Sequence, residues 1–138
     1  MNTYISYGEE DTIKIASEFA KTLKIGDIVA LHGTLGVGKT AFTRGVIQSL
    51  TQAVEVPSPT FTLLQTYETP NFDIYHFDMY RLKTPEEAYE IGIEDAFAEG
   101  VSFIEWPEKI GSILPKKRID IFFEINNNCR TITIKESA

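Results

Sequence analysis

Cysteine is almost absent from this chain: Cys129 is the only one in 138 residues, which excludes an intramolecular disulfide and any metal cage built from several thiolates. Long apolar runs are missing too. Stretches such as Ile28 to Leu31 fall far short of the roughly 20 residues that a membrane-spanning helix requires, so no membrane association is expected. No Arg-rich transit segment or short apolar leader opens the chain, and a cytoplasmic protein is expected. Positive charge is scarce, with 13 Lys and Arg against 20 Asp and Glu, a net −7. That balance disfavours a surface that holds a nucleic acid backbone through counterion release. At this length, with 43% apolar and 24% charged residues, residues 1–138 are read as one domain.

The negative charge is concentrated. Between Gly45 and Glu108 there are 12 acids against only Arg81 and Lys83, a net −10, which leaves +3 for the remainder. Such a stretch is either a solvated face that keeps a small domain soluble, or a surface that handles cations or a basic partner.

Apolar positions Ile13, Ala16, Phe19, Ala20 and Leu23 recur at helical spacing, behind the acids Glu9, Glu10 and Asp11, and predict a helix over 9–23. Asp27 to His32 is a short continuous apolar run of the kind buried on both faces of a sheet, and predicts a central strand. A second helix is expected over 39–50, with Phe42, Val46, Ile47 and Leu50 apolar. Pro57 and Pro59 then impose an extended loop. Phe61 to Tyr67 and Phe72 to Met79, rich in aromatic and β-branched residues, predict an antiparallel hairpin. Thr84-Pro85-Glu86-Glu87 predicts a helix start with Thr84 as its cap, a break near Gly92 and an end at Gly100. Val101 to Trp106 reads as another buried strand, and Ile119 to Ile125 with Arg130 to Ile134 as a second hairpin around three asparagines. The expected class is α/β, a single P-loop NTPase-like domain whose mixed sheet has a parallel core, antiparallel hairpins and flanking helices.

The most specific pattern lies between the predicted strand and the second helix. Gly33-Thr34-Leu35-Gly36-Val37-Gly38-Lys39-Thr40 has the spacing of a phosphate loop. Its glycines let the backbone curl with amides inward, where a Cβ would meet a phosphate. Lys39 would reach terminal phosphates, the Thr40 hydroxyl would ligate Mg²⁺, and the helix beginning there, through Ala41, would add its dipole. A bound nucleotide is expected; the loop alone does not establish hydrolysis.

Two strand carboxylates are placed to serve a metal: Asp78, in Tyr75-His76-Phe77-Asp78, and Glu105, closing the strand before the sole tryptophan, Trp106. Each could equally be a strand-end acid bonded to backbone or to Arg81. Thr60, in Pro57-Ser58-Pro59-Thr60-Phe61, is either a switch hydroxyl that closes onto metal and terminal phosphate or a loop hydroxyl satisfying an amide. His32 and His76 lack the partners of a metal pair and are read as structural. Lys116-Lys117-Arg118 is read as a solvated strand entry.

With those residues identified, the chain resembles the TsaE (YjeE) family, small bacterial ATPases required for making threonylcarbamoyladenosine in tRNA, the modification of adenosine 37. The resemblance spans nearly the whole chain. It rests on the phosphate loop, on Pro-Ser-Pro-Thr-Phe-Thr-Leu at 57–63, on His-Phe-Asp-Met-Tyr-Arg-Leu at 76–82 and on Ile-Glu-Trp-Pro-Glu at 104–108. It implies that Lys39 and Thr40 serve ATP and Mg²⁺, that Glu105 is a metal ligand, that Asp78 and Thr60 act in hydrolysis or switching, and that Trp106 packs beside the nucleotide. It further implies an adenine side built from the first helix start, around Glu9 to Thr12, and from Arg130. The chain departs from the family at Thr34, where an acid is common, and at Ala41, where a second Thr often follows. In the family, TsaB and TsaD carry out the modification while TsaE binds their complex and uses ATP, so tRNA contact is expected only through those partners. Two other readings fit the loop: a small-molecule kinase, and a nucleotide-binding module without catalysis.

Overall fold

The computed structural model describes residues 1–33, 38–51 and 63–137. Seven strands form one sheet in the order β1-β7-β6-β2-β5-β4-β3. They are β1 (Asn2–Ser6), β2 (Ile28–His32), β3 (Leu64–Glu68), β4 (Asp73–Asp78), β5 (Val101–Glu105), β6 (Arg118–Asn126) and β7 (Cys129–Ser137). The helices are α1 (Glu9–Ala20), α2 (Lys39–Leu50), α3 (Glu87–Glu90) and α4 (Ile93–Glu99), with a 3-10 helix over Pro107–Ile113. Strands β6, β2, β5 and β4 run parallel, while β3 pairs antiparallel with β4, and β7 with both β6 and β1. The expected class, with a parallel centre and antiparallel hairpins, is what forms.

Helices cover both faces of the sheet. Phe19, Phe42, Val46 and Ile47 from α1 and α2 pack on Val29, Leu31, Phe103 and Ile121, side chains of one face. Ala88, Ile93, Ala96 and Ile110 pack on Ile28, Phe77 and Ile104 of the other. The five-residue strand β5 is buried throughout, as a strand covered on both faces must be. Gly45 brings α1 and α2 together: a Cβ there would stand 2.9 Å from Ala16 Cβ and 3.3 Å from the Ile13 backbone.

Helix α1 ends earlier than its periodicity implies. Backbone bonds from Lys21 N to Glu18 O and from Thr22 N to Phe19 O tighten the last turn, and the Thr22 hydroxyl takes the same Phe19 carbonyl at 2.8 Å. Thr84 caps nothing with its side chain. Its carbonyl starts a turn with Glu87 N, α3 begins only at Glu87, and the Glu87 carboxylate reaches back to Lys83 N. The chain breaks at Gly92, whose φ of 81° is left-handed, and α4 then runs to Gly100. The second hairpin turns on Asn127 and Asn128, with Asn127 at φ 49°, a conformation asparagine tolerates. Strand β1 and the 3-10 helix are additions to the sequence-derived elements. The proline-fixed loop near Pro57 and Pro59 lies outside the described residues.

Candidate functional site

The parallel strands set the geometry. Ligands of open α/β sheets gather beyond the carboxyl ends of the strands, and β2, β4 and β5 end there in His32, Asp78 and Glu105. Gly33 follows β2, and Gly38, at φ 102°, is the residue before α2, a left-handed position that a Cβ would strain. Thr34, Leu35, Gly36, Val37 and Thr60 lie outside the described residues.

Lys39, first residue of α2, is 4% exposed. Its Nζ donates to the Gly33 carbonyl at 2.8 Å and stands 4.0 Å above the centroid of the Trp106 ring, a cation–π contact. Burial lowers the ammonium below its usual 10.5, and the carboxylates of Glu105, Glu108 and Asp78 partly offset that shift. Trp106 is itself in the left-handed region, with φ 59° immediately before Pro107, and its indole lies against Tyr80 with centroids 4.9 Å apart. Bulky residues rarely adopt that backbone conformation, and here it turns the chain out of β5 with the indole beneath the lysine.

Thr40 follows on the same helix. Its hydroxyl lies 3.4 Å from both oxygens of Glu105, longer than a well-formed O–H···O bond. Asp78 and Glu105 are paired in register across β4 and β5, so both carboxylates project from the same face, each 4% exposed. The Asp78 Oδ1 accepts from Tyr80 N at 3.0 Å, and the Glu105 carbonyl accepts from Met79 N, tying the two strand ends together. His76, two residues before Asp78 on the same face, is fully buried and bonds Glu105 Oε2 through Nε2 at 2.7 Å. The sequence alone offers no partner for this histidine. The signal was its period-two relation to Asp78, which counts only once β4 is known to lie beside β5.

Among the described residues, no group of three His, Cys, Asp or Glu side chains is spaced to hold a metal by itself. The Thr40 hydroxyl and the two carboxylates are hard oxygen donors. They suit Mg²⁺, which keeps most of its shell for water and phosphate and takes only one or two protein ligands.

The residues expected on the adenine side also meet. Glu9, Thr12, Gly38, Ala41 and Arg130 line one cleft of about 340 Å³, together with Asn128 from the second hairpin. Ser6 Oγ donates to the Gly8 carbonyl, so the buried Thr12 hydroxyl donates to Ser6 at 2.7 Å and braces the floor of the cleft. Glu9 is ion-paired with Arg44 of α2.

His32 faces away from this site. It bonds Asp120 Oδ1 at 2.8 Å and stacks on Phe122 with centroids 4.6 Å apart. Arg118 shares that carboxylate oxygen at 2.9 Å and donates to the Pro115 carbonyl. One of the three basic residues at 116–118 is thus committed to the fold.

Residues 6–132 match the family model described as "Threonylcarbamoyl adenosine biosynthesis protein TsaE". The tRNA threonylcarbamoyladenosine biosynthesis protein TsaE of Rickettsia bellii is 51% identical over 114 residues, 82% of this chain and 79% of that protein. The protein of the same name from Rickettsia typhi is 47% identical over 93% of this chain and 90% of its own length, and that from Bacillus subtilis 38% over 81% and 70%. The crystal structure of Bacillus subtilis YdiB superposes with a TM-score of 0.83 at 29% identity, covering 99% of this chain and 86% of that one. The described part of the sheet therefore belongs to a P-loop NTPase-like fold. With a family match spanning most of its length and relatives this similar, the chain belongs to the TsaE family, which takes part in tRNA threonylcarbamoyladenosine biosynthesis.

Proposed function

We propose that this chain, as one domain over 1–138, is a Mg²⁺-dependent ATPase of the cytoplasm that supports threonylcarbamoyladenosine formation in tRNA by acting on a TsaB–TsaD type complex. The observation that carries the reading is the meeting of Lys39, Thr40, Glu105 and Asp78 at the carboxyl ends of β2, β4 and β5. Hydrolysis of a phosphoanhydride needs little covalent chemistry from a protein; it needs positioning and charge stabilisation.

Lys39 supplies the cation for the terminal phosphates, held between the Gly33 carbonyl and the Trp106 ring. Thr40 and Glu105 would hold Mg²⁺. When bound, that ion neutralises phosphate charge and orients the phosphoryl group. Asp78 stands beside Glu105 and is the acid available to orient water or brace the metal's shell, and Thr60 is the hydroxyl proposed to close on the triphosphate. The cleft holding Glu9, Thr12, Ala41 and Arg130 takes the base and sugar. The protein's −7 charge leaves tRNA to the partners.

The test is ATP turnover by the purified protein alone and with a TsaB–TsaD pair. Slow release of free phosphate that rises with the pair supports the reading. Fast turnover indifferent to the partners, or transfer of label to a small acceptor, overturns it.

A further inference from the structure

His76 is in a place where an apolar side chain would serve packing better. It is fully buried; on its own strand Ile74 and Asp78 share its face, and its register partners are the buried Phe103 on β5 and Gln65 on β3. Among the described residues its Nδ1 is buried with no hydrogen-bond partner. A buried polar atom left unmade is a cost that leucine or phenylalanine would not incur, so packing does not account for a histidine here. What the ring gains is the 2.7 Å bond to Glu105, and because an ionised carboxylate only accepts, Nε2 is the donor.

We propose that His76 is a positioning residue: its imidazole fixes the Glu105 carboxylate beside the Thr40 hydroxyl in the orientation that a Mg²⁺-nucleotide requires. This rests on the reading of the site as Mg²⁺-ATP binding. Glu105 hangs on a flexible side chain with two opposite pulls. Both its oxygens lie 3.4 Å from Thr40 Oγ1, and it is also the carboxylate that acts most strongly on the Lys39 ammonium. Freed from the imidazole, the carboxylate would lose its fixed place beside Thr40, and the metal would lose it as a ready ligand. Hydrogen bonds of this outer kind orient metal ligands, and their loss weakens metal binding by about 10- to 100-fold.

The experiment compares His76→Phe, which keeps the ring but has no donor, with His76→Gln, which keeps an N–H donor. Calorimetry measures binding of the β,γ-imido analogue of ATP to the full chain, without metal and across a Mg²⁺ titration, and thermal denaturation is run alongside. In His76→Phe the metal-free affinity should stay within about twofold of wild type while half-saturating Mg²⁺ rises about 10- to 100-fold, with His76→Gln recovering much of that shift. Should His76→Phe not fold, His76→Leu takes its place as the donor-free variant. An unchanged Mg²⁺ requirement in the donor-free variant, or an equal shift in both variants, overturns the inference while leaving the ATP-site reading intact. A wild-type protein whose analogue binding ignores Mg²⁺ overturns both.

Discussion

Asp78 and Glu105 stand side by side, register partners on neighbouring parallel strands whose carboxylates leave the same face of the sheet and are almost wholly withdrawn from solvent. Two like charges so placed destabilise the fold unless something positive is near, and Lys39 is a cation that feels both. An arrangement kept at that expense is expected to separate binding from chemistry when one acid is neutralised. At saturating Mg²⁺, Glu105→Gln should bind ATP within a few-fold of wild type, unfold no earlier, and hydrolyse about 100-fold more slowly. If its melting temperature drops and binding is lost in parallel with turnover, the carboxylate is a structural strut instead.

Trp106 is the chain's sole tryptophan and has an ammonium 4.0 Å from its ring, so its emission reports on Lys39. Drawing Nζ toward a phosphate weakens the cation–π contact. Saturating ATP analogue should shift or rescale the emission, and Lys39→Met should abolish the response. An emission spectrum unmoved while calorimetry registers binding would show that the lysine does not leave the indole.

Gly45→Ala tests the crossing of α1 and α2, which carries Glu9 and Thr12 to the cleft. The added methyl stands 2.9 Å from Ala16 Cβ, so the helices must part. Overpacking of this kind costs about 1–3 kcal/mol, and the better helix propensity of alanine returns up to about 1 kcal/mol. A net loss of about 1–2 kcal/mol is expected in urea denaturation. A variant as stable as wild type would mean the crossing is looser than its geometry.

Asp120 gives a pH signature away from the site. Burial raises its carboxyl, but the bonds from His32 and Arg118 outweigh that and hold it below the ordinary 3.8. The stabilisation is therefore complete above 3.8 and disappears as pH falls through the lower folded-state value. Asp120→Asn should be less stable by about 1–3 kcal/mol at pH 7, and the difference should narrow below pH 3.8. Urea unfolding across that range checks it; a gap that widens in acid contradicts the assignment.

Much of this is legible in the sequence. The run Ile28 to Leu31 announced a central strand because burial on both faces leaves no alternation to confuse with a helix, and Lys39–Leu50 formed as its apolar spacing required. Strand β1 was not legible. Four of its five residues are exposed, and it exists because β7 offers a ladder, which is information held 130 residues away. Thr84 misled because its carbonyl, not its hydroxyl, starts the turn. At the site, the sequence singled out Asp78 and Glu105 by the oddity of acids on apolar strands, and the sheet made them neighbours. His76 carried no such mark, since one imidazole on a strand has a meaning only when the adjoining strand supplies its carboxylate.

The pairing of β1 with β7 bears on how the molecule is made. Asn2 sits opposite Ile134, so β1 has no strand partner until β7 follows, with β2 to β6 made in between. While β2 to β6 are made, the growing chain carries β1 as an unpaired edge, and Ser6, Gly8 and Glu9, which frame the cleft, meet Arg130 only after β7 has emerged. A chain cut off before residue 129 would therefore keep every strand of its parallel centre yet lack one wall of the cleft.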